Sequence, residues 1–499
     1  MMYISTRGNF SEVSASKAIK LGMVPTGGLF VPKKIPIFST EEIVDMQGKT
    51  YQEIARWIIS LFLNDFSAEE IRDCVHKAYN LNNFDLPEIA PLHSMGSDTY
   101  FLELWHGPTA AFKDIALQIM PYFLSLAMKK LDVNKEIVIL VATSGDTGKA
   151  ALEGFKNVPG IKIIVFYPYD GVSRVQELQM TTTDGSNTYV VAVRGNFDDC
   201  QNSVKEIFGD EAFNKILNEA GYELSSANSI NWGRLLPQIV YYFWSYLQLL
   251  KQKKISQDEK INFVVPTGNF GNILAGWYAK KMGLPIHKLI CASNENKVLT
   301  DFFRSGSYNR KRQFRQTSSP SMDILISSNL ERFLFEITGH DSEKINRWME
   351  DLNKTGQFEV DKVTKKYMDE IIDSDFAGEE ETLSVIRDIY HDAGYLLDTH
   401  TAVGYKVYQK FLERTGNTSK TVITATASPF KFGRSVFEAI RGKSFLEGKC
   451  EFEILQELSR LNNVPVHAGL LDLDKKPELH HIISEKNEIR SQVEKILGI

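Results

Sequence analysis

Short runs of unbroken hydrophobic residues punctuate the middle of this 499-residue chain. They fall at 137–142, 162–166, 188–193, 262–265 and 288–292, and the pattern returns at Thr421–Ala425. Runs without polar alternation suit parallel strands covered by helices on both faces. Helical stretches separate them, which predicts doubly wound α/β layers from about residue 99 onward. Upstream, to about residue 98, the pattern is mostly helical, with helices predicted over 41–46, 51–63 and 68–78 and a turn, Pro25-Thr-Gly-Gly28, leading into an apolar stretch at 29–32. A basic loop at 304–315 and charged helices over 329–394 interrupt the strands, and the last fifty residues read as polar and helical. The stretch 239–250 holds three tyrosines, is too short to span a bilayer, and reads as a buried core helix.

Composition narrows the function classes. A chain of this length exceeds one ordinary core, and 43% hydrophobic residues make it globular, so two or three domains are expected. With 57 Lys and Arg against 63 Asp and Glu, the net charge of −6 leaves no broad positive field for nucleic acid or an anionic membrane surface. Any anionic ligand must be gripped locally. Cys74, Cys200, Cys291 and Cys450 are too dispersed for a disulfide framework or a zinc site, which suggests a reducing compartment. Met1 to Phe10 lacks the pattern of a secretory signal, so a soluble cytoplasmic protein is expected. His391 and His400 lie in helical patterns without a ligand-spaced partner, and His480-His481 lie in a polar tail, so no metal is expected.

The chemistry centres on Lys113 in His106-Gly-Pro-Thr-Ala-Ala-Phe-Lys113-Asp114. A lysine among apolar neighbours either pairs with an anion or loses its proton, and the neutral amine is a nucleophile for an aldehyde. Thr143-Ser-Gly-Asp-Thr-Gly148-Lys-Ala follows a predicted strand and aims backbone N–H groups at an anion. It is not a P-loop, because Gly145 and Gly148 are too close and Ala150 stands where a magnesium-binding hydroxyl belongs. Pro266-Thr-Gly-Asn-Phe-Gly-Asn272, also between strand and helix, lacks the third glycine and the acid of a dinucleotide fingerprint, and suits a phosphate monoester. Each loop also has a plain reading as a tight packing turn. At the end of the last strand, Thr424, Thr426 and Ser428 share one side, and any of the three could serve a ring nitrogen.

Taken in order, these motifs resemble the pyridoxal-phosphate enzymes of fold type II, the tryptophan-synthase-β type. With Asn228-Ser-Ile-Asn-Trp-Gly-Arg234, Ser318-Ser-Pro-Ser-Met-Asp-Ile324, Ser5-Thr-Arg-Gly8 and Gly27 to Pro32, the chain is similar to the threonine synthase family up to about residue 440. The resemblance implies two open parallel-sheet domains behind an N-terminal segment (1–98). The large domain would span 99–136 and 210–499, with a helical insertion at about 300–394, and the small one 137–209.

It implies that Lys113 binds pyridoxal 5'-phosphate as a Schiff base, that Gly268, Asn269, Phe270, Gly271 and Asn272 hold its phosphate, and that Thr426 meets its ring nitrogen, with Thr424 and Ser428 in reserve. Asp146 would lie by the cofactor's 3-oxygen and share a proton with it. Ser144, Thr147 and Gly148 would hold the substrate carboxylate; Asn231, Arg234 and Ser5-Thr6-Arg7 are candidates for the substrate phosphate. The implied reaction turns O-phospho-L-homoserine and water into L-threonine and phosphate, in a monomer or homodimer. The competing readings are a phospholyase releasing 2-oxobutanoate, ammonia and phosphate, and a non-catalytic scaffold.

Overall fold

The computed structural model describes residues 1–499, the side chain of Asp198 excepted. The six hydrophobic runs become strands of two sheets. The larger sheet has the order Ile372–Phe376, Ile286–Ser293, Ile261–Pro266, Thr421–Ala425, Thr99–Glu103, Leu92–Met95. Its strands are parallel except Leu92–Met95, which pairs antiparallel at one edge. The smaller sheet is wholly parallel, in the order Ile482–Glu485, Thr188–Arg194, Ile161–Pro168, Glu136–Ala142, Tyr222–Ser225. This is an α/β molecule of the expected class.

The runs are unbroken because each strand serves two cores. Ile137, Ile139 and Val141 join the main hydrophobic cluster, while Val138, Leu140 and Ala142 join a separate one on the sheet's other face. In the larger sheet, Phe263 and Val265 point to the main cluster and Val264 to a third.

The N-terminal segment is largely helical, with Tyr51–Phe62 and Ala68–Ala78 near their expected bounds, but it also carries a small antiparallel sheet of Val13–Ser14, Met2–Ser5 and Phe30–Pro32. Residues 239–250 lie in the long helix Trp232–Lys251, which is buried along nearly its whole length. Among the described residues, no helix is long and apolar enough to cross a membrane. All four cysteines are unpaired.

Two boundaries differ from expectation. The smaller sheet does not end at residue 209, since it draws edge strands from Tyr222–Ser225 and from Ile482–Glu485 in the supposedly helical tail. The insertion at about 300–394 likewise contains Ile372–Phe376, an edge strand of the larger sheet. Edge strands pair on one side only and can carry polar residues, so these lack the hydrophobic signature of the central strands. Both glycine loops leave the carboxyl ends of parallel strands, where ligands of open α/β sheets bind.

Candidate active site

Lys113 opens the short helix Lys113–Leu117. The loop before it is fixed by its own sequence. Asp114, fully buried, accepts hydrogen bonds from the Thr109 amide (2.8 Å) and hydroxyl (2.7 Å). A side chain at Gly107 would sit 2.4 Å from the Asp114 Cβ, so only glycine fits there. Ala110 adopts a left-handed conformation, φ 60°. The loop is laced to the end of the strand Thr421–Ala425: the Phe112 amide donates to Thr426 O (2.9 Å), and the Ser428 amide to Ala110 O (3.0 Å). Burial raises the Asp114 pKa to about 6, although the Thr109 bonds oppose the shift.

The Lys113 Nζ lies 3.3 Å from Asp146 Oδ2 and 3.4 Å from the Ser321 hydroxyl, with the side chain 12% exposed. Burial lowers its pKa most; Asp146 opposes this, and the positive charges of Lys431 and Arg234 add to it. Asp146 begins the helix Asp146–Phe155 and also accepts from Ser321 Oγ (2.7 Å) and Gln176 Nε2 (2.9 Å), with Lys431 Nζ 3.2 Å from its Oδ1. Burial acts to raise its pKa, but Lys431, then Lys113, then the Ser321 bond hold it well below the usual carboxylate range. Two lysine side chains thus flank Asp146, one at each carboxylate oxygen. From sequence, Lys431 and Gln176 are not singled out, Ser321 is included only within a motif, and His400 is weighed only as a metal ligand. Lys431 carries a signal akin to that of Lys113, a lysine with apolar neighbours, here Phe430 and Phe432.

The residues of the second loop lie together. Phe270 is left-handed (φ 63°) and precedes the helix Gly271–Lys281, which has no side-chain cap. Among the described residues, none of the backbone N–H groups from Gly268 to Asn272 has an acceptor. A side chain at Gly268 would lie 2.6 Å from Ser321 O, which brings this loop against the residue that touches Lys113. Asn272 Oδ1 accepts from the hydroxyls of Tyr241 (2.6 Å) and Tyr242 (2.8 Å), while its buried Nδ2 has no partner.

In the first loop, Thr143 Oγ1 accepts from the amides of Gly145 (3.0 Å) and Gly148 (2.9 Å). Gly148 is thus engaged inside the turn. The amides of Ser144, Asp146 and Thr147 have no acceptor among the described residues, and the Ser144 and Thr147 side chains are partly exposed.

The remaining candidates divide. Arg234 is buried beside Lys113; its Nη1 donates to Ala227 O (2.5 Å), its Nε has no partner, and burial lowers its pKa to about 10 against the pull of Asp114. Asn231 caps the helix Trp232–Lys251 through Oδ1, and its Nδ2 donates to Ile19 O and Ser226 O, so its polar atoms are all engaged. Arg7 and Thr6 are bound to Glu331, and the Ser5 hydroxyl to Asn9. Of the strand-end hydroxyls, Thr424 donates to Val264 O (3.4 Å), Ser428 Oγ is buried without a partner, and Thr426 Oγ1 makes no hydrogen bond among the described residues.

A lysine readied by burial calls for a carbonyl, and five free amides at a helix N-terminus call for a phosphate. Pyridoxal phosphate carries both, and orphaned polar atoms at Ser428, Asn272 and Arg234 leave partners for it and for a substrate. A parallel-sheet protein built this way is a pyridoxal-phosphate-dependent enzyme of fold type II. The model for pyridoxal-phosphate dependent enzymes matches residues 84–427, flanked by matches to the threonine synthase N terminus at 2–79 and the threonine synthase C-terminal model at 401–483.

The chain belongs to the threonine synthase family. It is 38% identical to the threonine synthase of Schizosaccharomyces pombe, over 89% of this chain and 90% of that one. It is also 38% identical to human threonine synthase-like 1, over 99% of this chain and 68% of that longer one. The crystal structure of pyridoxal-phosphate-bound threonine synthase from Brucella melitensis superposes with a TM-score of 0.87 at 36% identity, covering 100% of this chain and 98% of that one.

Proposed function

We propose that this chain is a threonine synthase that uses pyridoxal phosphate to convert O-phospho-L-homoserine and water to L-threonine and phosphate. The observation that carries this reading is the set of free amides at residues 268–272, packed against the Ser321 segment that touches Lys113. When bound, the cofactor supplies an electron sink for charge developing at the substrate α-carbon. Gly268, Asn269, Phe270, Gly271 and Asn272 hold its phosphate. Thr426 meets the ring nitrogen with Ser428 in reserve, and Asp146 stands by the 3-oxygen.

The amides and hydroxyls of Ser144 and Thr147 orient the substrate carboxylate, and the free Nε of Arg234 offers a charged donor to the substrate phosphate. Lys113, as a neutral amine, takes the α-proton and moves protons between the α- and β-carbons. Phosphate leaves from the γ-carbon, and water adds at the β-carbon. We further place the enzyme in the cytoplasm, as a monomer or homodimer that needs neither nucleic acid nor membrane; light scattering of the purified protein tests its size.

The decisive experiment supplies O-phospho-L-homoserine to the loaded enzyme and measures phosphate, threonine and 2-oxobutanoate together. Equal phosphate and threonine are expected, whereas phosphate with 2-oxobutanoate would overturn the reading in favour of a phospholyase. Lys113→Ala is expected to lose both turnover and the visible absorbance of the bound cofactor.

A further inference from the structure

We propose that Lys431 is a positioning residue whose ammonium keeps Asp146 a fixed carboxylate while Lys113 changes its charge. The inference rests on the reading of Lys113 and Asp146 just given. Lys431 sits in the short turn Pro429–Phe432, directly after the strand-end hydroxyls, and its side chain is fully buried. Its Nζ donates to Thr109 O (2.8 Å) and lies 3.2 Å from Asp146 Oδ1. The two carboxylate oxygens are divided between two lysines: Oδ2 faces Lys113 and Ser321, and Oδ1 faces Lys431 and Gln176.

Burying a second lysine beside the first is costly in desolvation and repulsion, so the arrangement calls for a role. Lys113 cannot be the permanent partner of Asp146, because its chemistry requires it to lose its proton. At that moment a buried aspartate with no other cation would take up a proton itself and turn from acceptor to donor. Lys431 prevents this, because no step of the reaction consumes its charge. Its anchor, Thr109 O, belongs to the loop that Asp114 pins, so the second ammonium is positioned by the same segment that positions the first.

Other groups around the cluster act at one remove. His400 Nε2 accepts from the Ser321 amide (3.1 Å) while its Nδ1 faces Asp398 (3.0 Å), and the charge of Arg234 reaches Lys113. Asp323, near His400, and Asp114 and His467, near Lys431, complete the titratable neighbours.

The test compares Lys431→Gln, which keeps a donor for Thr109 O without the charge, with Lys431→Arg, which keeps the charge. In the cofactor-loaded enzyme, the pH at which the visible absorbance changes is measured. In the full chain stripped of cofactor, the pH dependence of Lys113 acetylation is read by mass spectrometry. Without Lys431 the proton that Lys113 gives up can pass to Asp146, so Lys431→Gln is expected to lower both midpoints by about 1 unit and Lys431→Arg to restore them. A rise would show a plain charge effect with Asp146 still a carboxylate and would overturn the proposal.

Unmoved midpoints in Lys431→Gln would overturn the proposal, as would an arginine variant that behaves like glutamine. Loss of the fold in both variants would also overturn it, by showing a packing role. Loss of the fold in Lys431→Gln alone, with wild-type midpoints in Lys431→Arg, would support a need for the charge. Neither midpoint depends on which product forms, so an enzyme that released 2-oxobutanoate would leave this proposal standing.

Discussion

His106, at the start of the lysine loop, is clamped between Asp85 (2.6 Å) and Glu103 (2.8 Å). Burial works against its charge, but the two carboxylates prevail and raise its pKa to about 9 from an ordinary 6.5. A raised pKa in the folded state stabilises the fold fully below pH 6.5, and that stability is lost as pH rises through 9. At 1.36 kcal/mol per unit the contribution is at most roughly 3 kcal/mol. Urea unfolding followed between pH 6.5 and 9 should therefore show stability falling in the wild type and a flatter profile in His106→Gln.

The same scale shows what a sequence conceals. Lys113 and the glycine loops were legible because each is a local arrangement of neighbours in the chain. Gln176, Ser321, His400 and Lys431 converge on Asp146 from four separate segments, and no local spacing records that convergence.

Among the elements, the helices beside the site depend on end chemistry and close approach. Asn231 supplies the cap of Trp232–Lys251 and two further hydrogen bonds to backbone carbonyls. Asn231→Ala should cost about 1–2 kcal/mol in urea unfolding while leaving KM unchanged, whereas a residue gripping substrate phosphate would raise KM. The helix Asp146–Phe155 crosses Lys113–Leu117 at Gly154, where an added Cβ would lie 2.1 Å from Leu117 O. Gly154→Ala should destabilise by about 1–3 kcal/mol through overpacking and weaken cofactor retention, because the two helices carry Asp146 and Lys113. Thermal unfolding and cofactor content of the purified variant check both. The central strands were readable, since both faces are buried, but Ile372–Phe376, with aspartates at 373 and 375, was not.

At the scale of the whole molecule, the smaller sheet is assembled from distant stretches. Ile482–Glu485 covers Thr188–Arg194 with four register pairs and shields that strand's edge. The helix Ile489–Leu497 packs with Phe197–Gly209 in the same apolar cluster. A chain ending at residue 476 should therefore expose an unprotected parallel edge and aggregate, which light scattering and recovery of soluble protein would reveal. Residues 477–499 are remote from Lys113 in sequence and carry no motif, so only the pairing discloses their purpose.

That pairing also sets a timetable. A ribosome releases Thr188–Arg194 long before Ile482–Glu485 exists, with most of the larger sheet translated in between. Throughout that interval the growing chain carries an open strand edge, the feature that chaperones shelter and that aggregation exploits. The edge closes only once Ile482–Glu485 has emerged.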